Sequence, residues 1–538
     1  MAEETEGHDN VAEAAAANVN PAAVALALLV PLAAFACAAA ITAAQAQLPP
    51  TPQPIGLPPT PAPVTSSGPP ASGQLQGRGI SSANPLQGVT SPASRIPRIT
   101  QSNVAIELAD FARIPPSDGN PPLAKLNFLF SAADGSGRLF VNDMRGKIYV
   151  IKDGVVLSTP FLDLANAGVP LFFSSGGTNS EVGLLTFAFH PDFNHKGAPG
   201  YGKFYTLAAQ GSQLVDDGSV PIFRGPKMPP HHFNVLSEWS VDPRNPNRID
   251  PSSRREILRL AAHSDDHGGG QLGFNPDASP RDPDYGLLYI SVGDGGNTVW
   301  DGGKVEEYHL AQDMTSAFGK ILRINPLRSG NRSYSVPATN PFVRAKNVLP
   351  EIWASGLRNP ERFSWDRGGA GKMLIADIGQ TTVEEINLGQ AGANYGWGLY
   401  EGDFLVDHLD EHHLTALPGG KPPKGFTFPV AVYGHADGQA VTGGFVYRGK
   451  SIPELVGKYV FGDLATGALF YADAASLESG ARTPLFKLRL FYHGTEEALT
   501  DVIKSNRADL RLGLGEDGEI YLLTKTDGGI RKIMRHTH

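Results

Sequence analysis

Short apolar runs, each introduced by a glycine, recur through most of the chain. They combine aromatic and β-branched residues, a composition typical of buried β-strands rather than of amphipathic helices. A glycine before each run indicates a tight turn, since glycine reaches positive φ without a steric penalty. Six copies read GRLFVND from Gly137, GKFYTLA from Gly202, GLLYISVGD from Gly286, GKMLIAD from Gly371, GKYVFGD from Gly457 and GEIYLLTK from Gly518.

A second strand-like run follows several of these copies, as in RGKIYVI after Asp143 and TGALFYAD after Ala465. Radial repetition of one four-stranded unit produces such a pattern, and no long amphipathic helical stretch competes with it. We expect a strand over Val104–Leu108 to pair beside the last copy. The pattern therefore predicts an all-β fold, a six-bladed β-propeller that occupies residues 104–538.

The first hundred residues have a different composition. Residues Ala22 to Ala46 carry no charge and end in Ala-Gln-Ala, which predicts a signal peptide over 1–46 and a periplasmic or secreted protein. The preceding segment is acidic and lacks Lys and Arg, and the apolar run is long enough to span a bilayer, so an uncleaved membrane anchor is the alternative. Residues 47–103 are rich in Pro, Ser and Gly and are expected to form a linker.

Composition removes several classes of function. The formal charge of −9 and pI near 5.9 argue against a general nucleic-acid binder. The one cysteine, Cys37, lies in the apolar leader. Disulfides, thiolate metal sites, cysteine nucleophiles and haem-attachment motifs are therefore excluded from the rest of the chain.

The segment SDDHGGGQL, from Ser264 to Leu272, is the first candidate for chemistry. A neutral imidazole suits proton abstraction near pH 7, so His267 is the candidate general base. Asp266 is the candidate for orienting the ring or supporting its charge, and the glycines would let backbone approach a flat ligand. The alternative is a surface loop with a solvated histidine.

Two further segments carry polar residues that suit anions and cations. In GLRNP, Arg358 offers a fork of donors for carboxylates and Asn359 both donates and accepts, although a turn before Pro360 would also use Asn359. In ADIGQ, followed by Glu384, backbone carbonyls and carboxylates suit Ca²⁺, a hard ion that prefers oxygen. Acidic turn residues that cap strands are the alternative there.

The order of these phrases resembles the glucose/sorbosone dehydrogenase family. The matching phrases are EVGLLTFAFHPDF, DHGGGQLGF, SVGDGGN, GKILRINP, GLRNPERFSWD, IGQTTVEEIN and ANYGWGLYEG. The later stretch GGFVYRG-x-x-IPEL resembles the sorbosone-type and Hedgehog-interacting-protein-like branches of that family. The resemblance covers roughly residues 105–533.

The resemblance implies a six-bladed propeller that carries pyrroloquinoline quinone (PQQ) and Ca²⁺. It implies that His267 takes the proton of a sugar hydroxyl while a hydride passes to the quinone, with Asp266 beside the base. The remaining implied roles are contacts to the cofactor by Arg358 and Asn359, backbone ligation of calcium at Gly379 and Gln380 with Glu384 in support, and a substrate contact at Glu181.

The chain departs from the family pattern at the cofactor's carboxylates. Ala465 stands where the soluble glucose enzymes carry a lysine, and Arg507 and Arg511 match their paired arginines only approximately. A buried carboxylate needs a partner, so these departures weaken the expected affinity for PQQ.

Three functions follow from these observations. The leading one is an exported PQQ- and Ca²⁺-dependent dehydrogenase of an aldose or sorbosone-like sugar, with a separate electron acceptor. The second is a non-enzymatic propeller that binds carbohydrate or protein and has lost the cofactor. The third is a Ca²⁺-dependent lactonase-type propeller, which leaves His267 and Arg358 without clear roles.

Overall fold

The structure is a computed structural model. It describes residues 96–173, 181–213, 216–225, 229–296, 298–301, 304–307, 310–380, 382–407, 410–417 and 421–537. The predicted leader over 1–46 and most of the predicted linker over 47–103 lie outside the described residues. Among the described residues, no helix is both long and apolar enough to cross a membrane.

These residues fold almost entirely into β-sheet, with one α-helix among them, α1 (Leu499–Ile503), and 3₁₀ turns at Pro453–Leu455 and Ala474–Ser476. The strands are β1 (Thr100–Arg113), β2 (Leu126–Ser131), β3 (Leu139–Asp143), β4 (Lys147–Lys152), β5 (Val155–Val156), β6 (Leu162–Asp163), β7 (Leu184–Phe189), β8 (Lys203–Gly211), β9 (Ile222–Phe223), β10 (His232–Asp242), β11 (Asn245–Ala262), β12 (Leu272–Phe274), β13 (Leu288–Val292), β14 (Thr298–Asp301), β15 (Lys304–Glu307), β16 (Lys320–Ile324), β17 (Ile352–Ser355), β18 (Arg362–Trp365), β19 (Met373–Asp377), β20 (Val383–Leu388), β21 (Tyr400–Glu401), β22 (Phe404–Asp407), β23 (Asp410–Ala416), β24 (Ala431–Gly434), β25 (Val441–Val446), β26 (Lys458–Asp463), β27 (Leu469–Asp473), β28 (Phe486–Tyr492), β29 (Thr495–Glu496), β30 (Leu510–Leu514), β31 (Ile520–Thr524) and β32 (Gly529–Arg535).

Neighbours in each sheet are mostly consecutive in the chain. The runs β7-β8-β10-β11, β12-β13-β16-β17 and β18-β19-β20-β24 form separate sheets, the first extended by β9. A longer hydrogen-bonded path joins β25-β26-β27-β28 through β1 to β32-β31-β30 and then to β2-β3-β4-β5. Short connections between antiparallel neighbours explain why turn glycines recur through the sequence.

The prediction of strands after the six repeated glycines is confirmed. The glycine-led segments become β3, β8, β13, β19, β26 and β31. Each of these is the second strand in its series of hydrogen-bonded strands. Each introducing glycine has a positive φ, between 63° and 80°, in the region where a Cβ would clash with the backbone. The runs RGKIYVI and TGALFYAD likewise form β4 and β27.

The first strand pairs with the end of the chain, as expected. β1 is antiparallel to β32, with Ile106 opposite Arg535, and parallel to β28 on its other side. It is longer than predicted and begins at Thr100. Ile96 is already buried and Arg98 forms an ion pair with Asp437, so packing begins before residue 104, the predicted start of the folded unit.

Hydrophobic side chains fill the space between adjacent runs. One cluster joins β3 to β7, β8 and β10 through Phe140, Phe187, Phe204 and Trp239, and another joins β19 and β20 to β26 and β27. Burial of large aromatic residues stabilises such interfaces by roughly 1.5–3 kcal/mol per side chain. Polar segments at the ends of these rigid strands are thereby held in fixed positions.

Candidate functional site

Connections between separate sheets bring three of the predicted residues together. Glu181 precedes β7, His267 lies between β11 and β12, and Asn359 lies between β17 and β18. The Glu181 carboxylate accepts a 2.8 Å hydrogen bond from the backbone N–H of His267 and a 3.1 Å bond from Asn359 Nδ2. One carboxylate therefore ties the connection that carries His267 to the connection that carries Asn359.

The imidazole of His267 is held by a carboxylate that the sequence analysis did not single out. His267 Nδ1 lies 2.7 Å from Asp294 Oδ1, and Asp294 is 1% exposed. Trp397 Nε1 donates to Asp294 Oδ2 at 2.7 Å, and the backbone N–H of Gly296 donates to Oδ1. Burial raises the pKa of Asp294, but the His267 charge and hydrogen bond, with further contributions from Arg358 and Trp397, outweigh it and leave that pKa below its usual value.

This arrangement fixes the tautomer of the ring. An ionised carboxylate only accepts hydrogen bonds, so Nδ1 carries the hydrogen and Nε2 carries the lone pair. The side chain is 13% exposed. Nε2 has no hydrogen-bond partner among the described residues, which leaves it available to accept a proton.

The expectation for Asp266 is corrected by this geometry. Asp266 is exposed, and its backbone groups bond to the hydroxyl of Ser264. The residue next to His267 in sequence is therefore not the partner of its ring in space. The carboxylate that contacts the ring is Asp294, which lies just after β13 in the phrase SVGDGGN.

The glycines after His267 serve packing within the protein. A Cβ at Gly268 would lie 2.5 Å from Asn234 Nδ2, and a Cβ at Gly270 would lie 2.5 Å from the Pro360 carbonyl oxygen. His267 itself has a φ of 52°, and a Cβ at Gly293 would lie 2.7 Å from the His267 Cβ. The glycines were expected to let backbone approach a flat ligand; at Gly268 and Gly270 the space that a Cβ would take holds neighbouring protein atoms.

Arg358 lies near the pair formed by His267 and Asp294, which we call the dyad, and one of its N–H donors has no partner in the described part of the chain. Its guanidinium donates to the Ile378 carbonyl at 3.1 Å and to the side-chain oxygen of Gln380, and it lies 5.5 Å from the centre of the Trp397 ring. Its Nε is buried without a hydrogen-bond partner among the described residues. The Asp377 carboxylate accepts the backbone N–H groups of Arg358 and Asn359 and so positions both.

Four buried carboxylates surround the predicted calcium segment: Asp377, Glu384, Glu385 and Glu401. Burial raises the pKa of Glu384 to about 7 and that of Glu385 to about 7, and burial with the nearby Glu385 charge raises the pKa of Asp377 well above its usual value. A divalent cation would favour the charged form of these carboxylates by relieving the repulsion between them. Gly379 is buried close to these carboxylates. A Cβ there would overlap the Val383 carbonyl oxygen and would lie 3.0 Å from Glu401 Oε1.

Glu384 is engaged with the protein itself. One of its oxygens lies 2.9 Å from His435 Nε2, and the other accepts the backbone N–H of Val441 at 2.8 Å. Both oxygens therefore already have partners. Gln380 is half-buried, and its side-chain oxygen accepts from Arg358.

Three positions were expected to lie near the carboxylates of the cofactor, and the structure gives each of them different surroundings. Arg511 is buried, and its guanidinium lies 3.0 Å from Glu361 and 3.1 Å from Asn127 Oδ1. These contacts pair it with other residues of the protein. Arg507 is more exposed and bonds to Asp509 at 2.8 Å. Ala465 is buried in the turn between β26 and β27, where it brings no charge.

Three lysines are buried among the described residues, and the sequence analysis identified none of them; two lack a partner for the Nζ atom. Lys125 precedes β2 and is 4% exposed, and Lys525 follows β31 and is 2% exposed. Among the described residues, neither Nζ has a hydrogen bond, or an ion pair within 4.0 Å. Burial, followed by the positive charge of Arg511, lowers the pKa of Lys525 to about 7, and burial with the charge of Arg145 lowers the pKa of Lys125.

Comparison with known proteins defines the family and the fold class of this chain. The model of the glucose/sorbosone dehydrogenase family matches residues 245–535, and the chain belongs to that family. It is 31% identical over 459 residues to the HIPL1 protein of Arabidopsis thaliana, covering 75% of this chain and 60% of that protein. It is 28% identical to the human Hedgehog-interacting protein, covering 76% and 49%. The chain thus spans about half to three fifths of the length of these relatives.

Sugar dehydrogenases are also among the relatives. The aldose sugar dehydrogenase YliI of Escherichia coli is 27% identical over 335 residues, covering 60% of this chain and 73% of that protein. The crystal structure of the apo E. coli aldose sugar dehydrogenase superposes with a TM-score of 0.54 at 20% identity, covering 80% of this chain and 100% of that one. The PQQ-bound aldose sugar dehydrogenase of Streptomyces coelicolor gives a TM-score of 0.53 at 18% identity, covering 81% and 99%. These structures show that the chain has the propeller fold of the PQQ-type sugar dehydrogenases.

Proposed function

We propose that the protein is an exported dehydrogenase that oxidises an aldose or sorbosone-like sugar, with PQQ and Ca²⁺ as cofactors. The observation that carries this proposal is the pairing of His267 Nδ1 with the buried Asp294 carboxylate at 2.7 Å. A histidine on a polar connection, with Nε2 unpaired and Nδ1 held by a buried acid, is equipped to remove a hydroxyl proton. The names of the sugar dehydrogenase relatives supply the substrate class and the quinone.

The proposed architecture is a six-bladed propeller. Each of the six glycine-led strands is the second strand in a series of hydrogen-bonded strands. β1 pairs with β32 and so becomes the fourth strand of the series β30, β31 and β32. Ligands of propellers bind where the connections at one end of the ring converge. His267, Glu181 and Asn359 come from three such connections, and Glu181 contacts both of the others, which supports placing the site there.

In this proposal the residues of the chain do the acid–base work. His267 Nε2 accepts the hydroxyl proton of the sugar, and the Asp294 carboxylate stabilises the imidazolium that forms. Glu181 holds the His267 backbone and has lone pairs left for a sugar hydroxyl, which gives it a substrate role together with a positioning role. When bound, PQQ supplies the hydride acceptor, and a separate carrier takes the electrons onward.

The charge of the site fits an anionic quinone. Among the described residues, Arg358 has a buried Nε without a partner, and Lys125 and Lys525 have buried amines without ion pairs, whose charged form a cofactor carboxylate would stabilise. Arg358 would hold one carboxylate, Asn359 would add a polar contact, and the two lysines would replace the cation missing at Ala465. Arg507 and Arg511 have protein carboxylates as partners, and we assign them a supporting electrostatic role.

The calcium site is proposed at the backbone of Gly379 and Gln380. The buried acids at Asp377, Glu384, Glu385 and Glu401 provide the negative field that would attract a divalent cation. Since both oxygens of Glu384 are bonded, its support acts through this field, and through the His435 contact, rather than through direct ligation.

Reconstitution tests the proposal directly. Purified protein is titrated with PQQ in the presence of Ca²⁺ or of a chelator, and dye reduction is followed on a panel of sugars. We expect saturable quinone binding that requires Ca²⁺, and reduction of the dye by at least one aldose. Quinone binding without any sugar oxidation across the panel, or no quinone binding at all, would contradict the proposal.

A second function is favoured by a specific observation. Ala465 removes a cation expected in the sugar enzymes, and the HIPL1 and Hedgehog-interacting proteins are relatives at identities above that of the E. coli dehydrogenase. The alternative is a non-enzymatic propeller that binds a carbohydrate or protein partner. It predicts that the reconstitution fails while an immobilised glycan or extracellular protein retains the chain.

A further inference from the structure

A second cluster of ligand-type side chains lies near the His267 connection. His231 Nδ1 is 3.2 Å from His232 Nδ1 and 3.1 Å from Asp265 Oδ1, and the three ligand atoms all lie within 4.8 Å of one another. These residues have no part in the proposed sugar oxidation. We propose that His231, His232 and Asp265 bind a divalent transition-metal ion of the zinc type.

The spacing of the ligand atoms matches tetrahedral coordination. Zinc lies about 2.0–2.2 Å from imidazole nitrogen and carboxylate oxygen, so two ligands of a tetrahedral ion are separated by roughly 3.3–3.5 Å. Two of the three separations, 3.2 and 3.1 Å, are close to that edge length. The third separation is no longer than 4.8 Å, so a metal ion fits between the three groups once His232 and Asp265 approach each other.

The backbone explains why these three residues meet. His232 opens β10 and lies opposite Ala262, the last residue of β11, and the His231 N–H donates to the Ala262 carbonyl at 2.8 Å. The chain leaving β11 passes beside the two histidines and reaches Asp265 three residues later. Two ligands are thus fixed by the sheet, and the third is supplied by the connection that carries His267.

The environment of the cluster suits metal entry and ligation. The His231 and Asp265 side chains are 45% and 28% exposed, which leaves a route from solvent, while His232 is fully buried and stacks on Phe172 at 5.1 Å.

The donor set distinguishes this site from the proposed calcium site. Two imidazoles and one carboxylate suit zinc, cobalt or iron, whereas calcium prefers oxygen ligands alone. Three protein ligands leave a fourth position for water. The ion would link the start of β10 to the connection carrying His267, and Asn234 on β10 already donates to the Gly268 carbonyl of that connection at 2.9 Å. The inference does not depend on quinone binding or on sugar oxidation.

Zinc and cobalt titrations of the untagged full chain test the inference. We expect one Zn²⁺ to bind per chain, and Co²⁺ at the same site to give visible absorption bands of a four-coordinate ion. His231→Ala and Asp265→Asn should each weaken Zn²⁺ binding at least ~100-fold, because each removes one of three ligands. Both side chains are partly exposed, so the metal-free variants should melt close to the wild type.

The matched control is His493→Asn, which removes an exposed histidine outside the cluster and keeps a residue tolerant of the positive φ of 50° at that position. Its Zn²⁺ affinity should equal that of the wild type. Bound Zn²⁺ should also raise the melting temperature of the wild type and of His493→Asn, but not that of His231→Ala or Asp265→Asn. Absence of stoichiometric binding, or equal loss in His493→Asn and His231→Ala, would overturn the inference.

Discussion

At the scale of single residues, the contact between His267 and Asp294 decides which ring nitrogen is free. Asp294 also bonds to Trp397, which contacts Arg358, so the base and the proposed quinone-binding cation share one support. We therefore expect a change at Asp294 to disturb both proposed functions, and a change at Asp266 to disturb neither.

Three substitutions distinguish the proposed role of Asp294 from that of Asp266. We expect His267→Ala to lower kcat by about 10²–10⁴-fold, the usual contribution of a positioned general base. Asp294→Asn should also lower kcat strongly, because an amide does not stabilise the imidazolium and permits the wrong tautomer. Asp266→Asn should stay within about twofold of the wild type. Steady-state dye reduction measures all three, and an Asp266→Asn defect equal to that of Asp294→Asn would restore Asp266 as the partner of the base.

His190 makes stability depend on pH at a site remote from the dyad. It is 3% exposed, and burial lowers its pKa to about 4, against the opposing charge of Asp192. Between pH 6.5 and 4 the histidine is protonated in the unfolded chain but not in the folded one. The free energy of unfolding therefore falls as the pH falls through that range, by up to about 3 kcal/mol.

The variant His190→Phe tests this linkage. It should flatten the dependence of unfolding free energy on pH between 6.5 and 4, whatever its stability at pH 7. His493→Asn, which removes an exposed histidine, should keep the wild-type slope. Denaturant unfolding at several pH values measures both, and an unchanged slope in His190→Phe would show that other groups control acid sensitivity.

The residue scale is also where prediction from sequence was weakest. The sequence indicated His267, Arg358 and Glu181 because their phrases match a family, but it paired His267 with Asp266 because they are adjacent. Loop residues lack the periodicity that assigns side chains to faces in a strand, so the direction of Asp266 was undetermined. Asp294 was visible only as part of a strand-like phrase, and the buried state of Lys125 and Lys525 depends on contacts distant in sequence.

At the scale of elements, sequence prediction was strongest. Each glycine-led run became a strand because apolar periodicity and turn chemistry agree there. The ends of these strands are less predictable, and they carry the function. Lys525 directly follows β31 and Lys125 directly precedes β2, so two strand ends place ammonium groups close to Asp509.

Neutralising these strand-end lysines should weaken quinone binding. Lys125→Met and Lys525→Met keep most of the side-chain volume and remove one charge each. A well-formed charge-assisted pair is worth roughly 1.5–3 kcal/mol, so the Kd for PQQ should rise by about 10–150-fold in each variant. Lys487→Met is the control, since Lys487 is an exposed lysine with no part in the proposed site. Fluorescence titration of apo-protein gives the affinities without reference to turnover, and wild-type affinity in both lysine variants would refute the assignment.

At the scale of the whole molecule, the described part of the chain depends on β1. This strand contacts β28 on one side and β32 on the other, through segments near the end of the sequence. Removing it would expose the edges of two strands at once, and unpaired edges promote aggregation.

Two truncations test this dependence. A chain that begins at Ile96 retains the ion pair of Arg98 with Asp437 and the whole of β1, and we expect it to unfold cooperatively with wild-type stability. A chain that begins at Ile114 lacks β1, and we expect it to be insoluble or to lose its cooperative transition. Circular dichroism melting and size-exclusion chromatography distinguish the two, and equal stability of both chains would show that β1 is dispensable.

The position of β1 also sets the order of events during synthesis. Its two neighbours are made only after more than three hundred further residues have left the ribosome, since Thr100 lies opposite Phe486 and Ile106 lies opposite Arg535. For all that time the strand has no native partner, and the long loop it must close makes spontaneous closure slow. The nascent fold therefore stays incomplete until β28 and β32 have been made, and chaperones that shield the unpaired strand would raise the yield of folded protein.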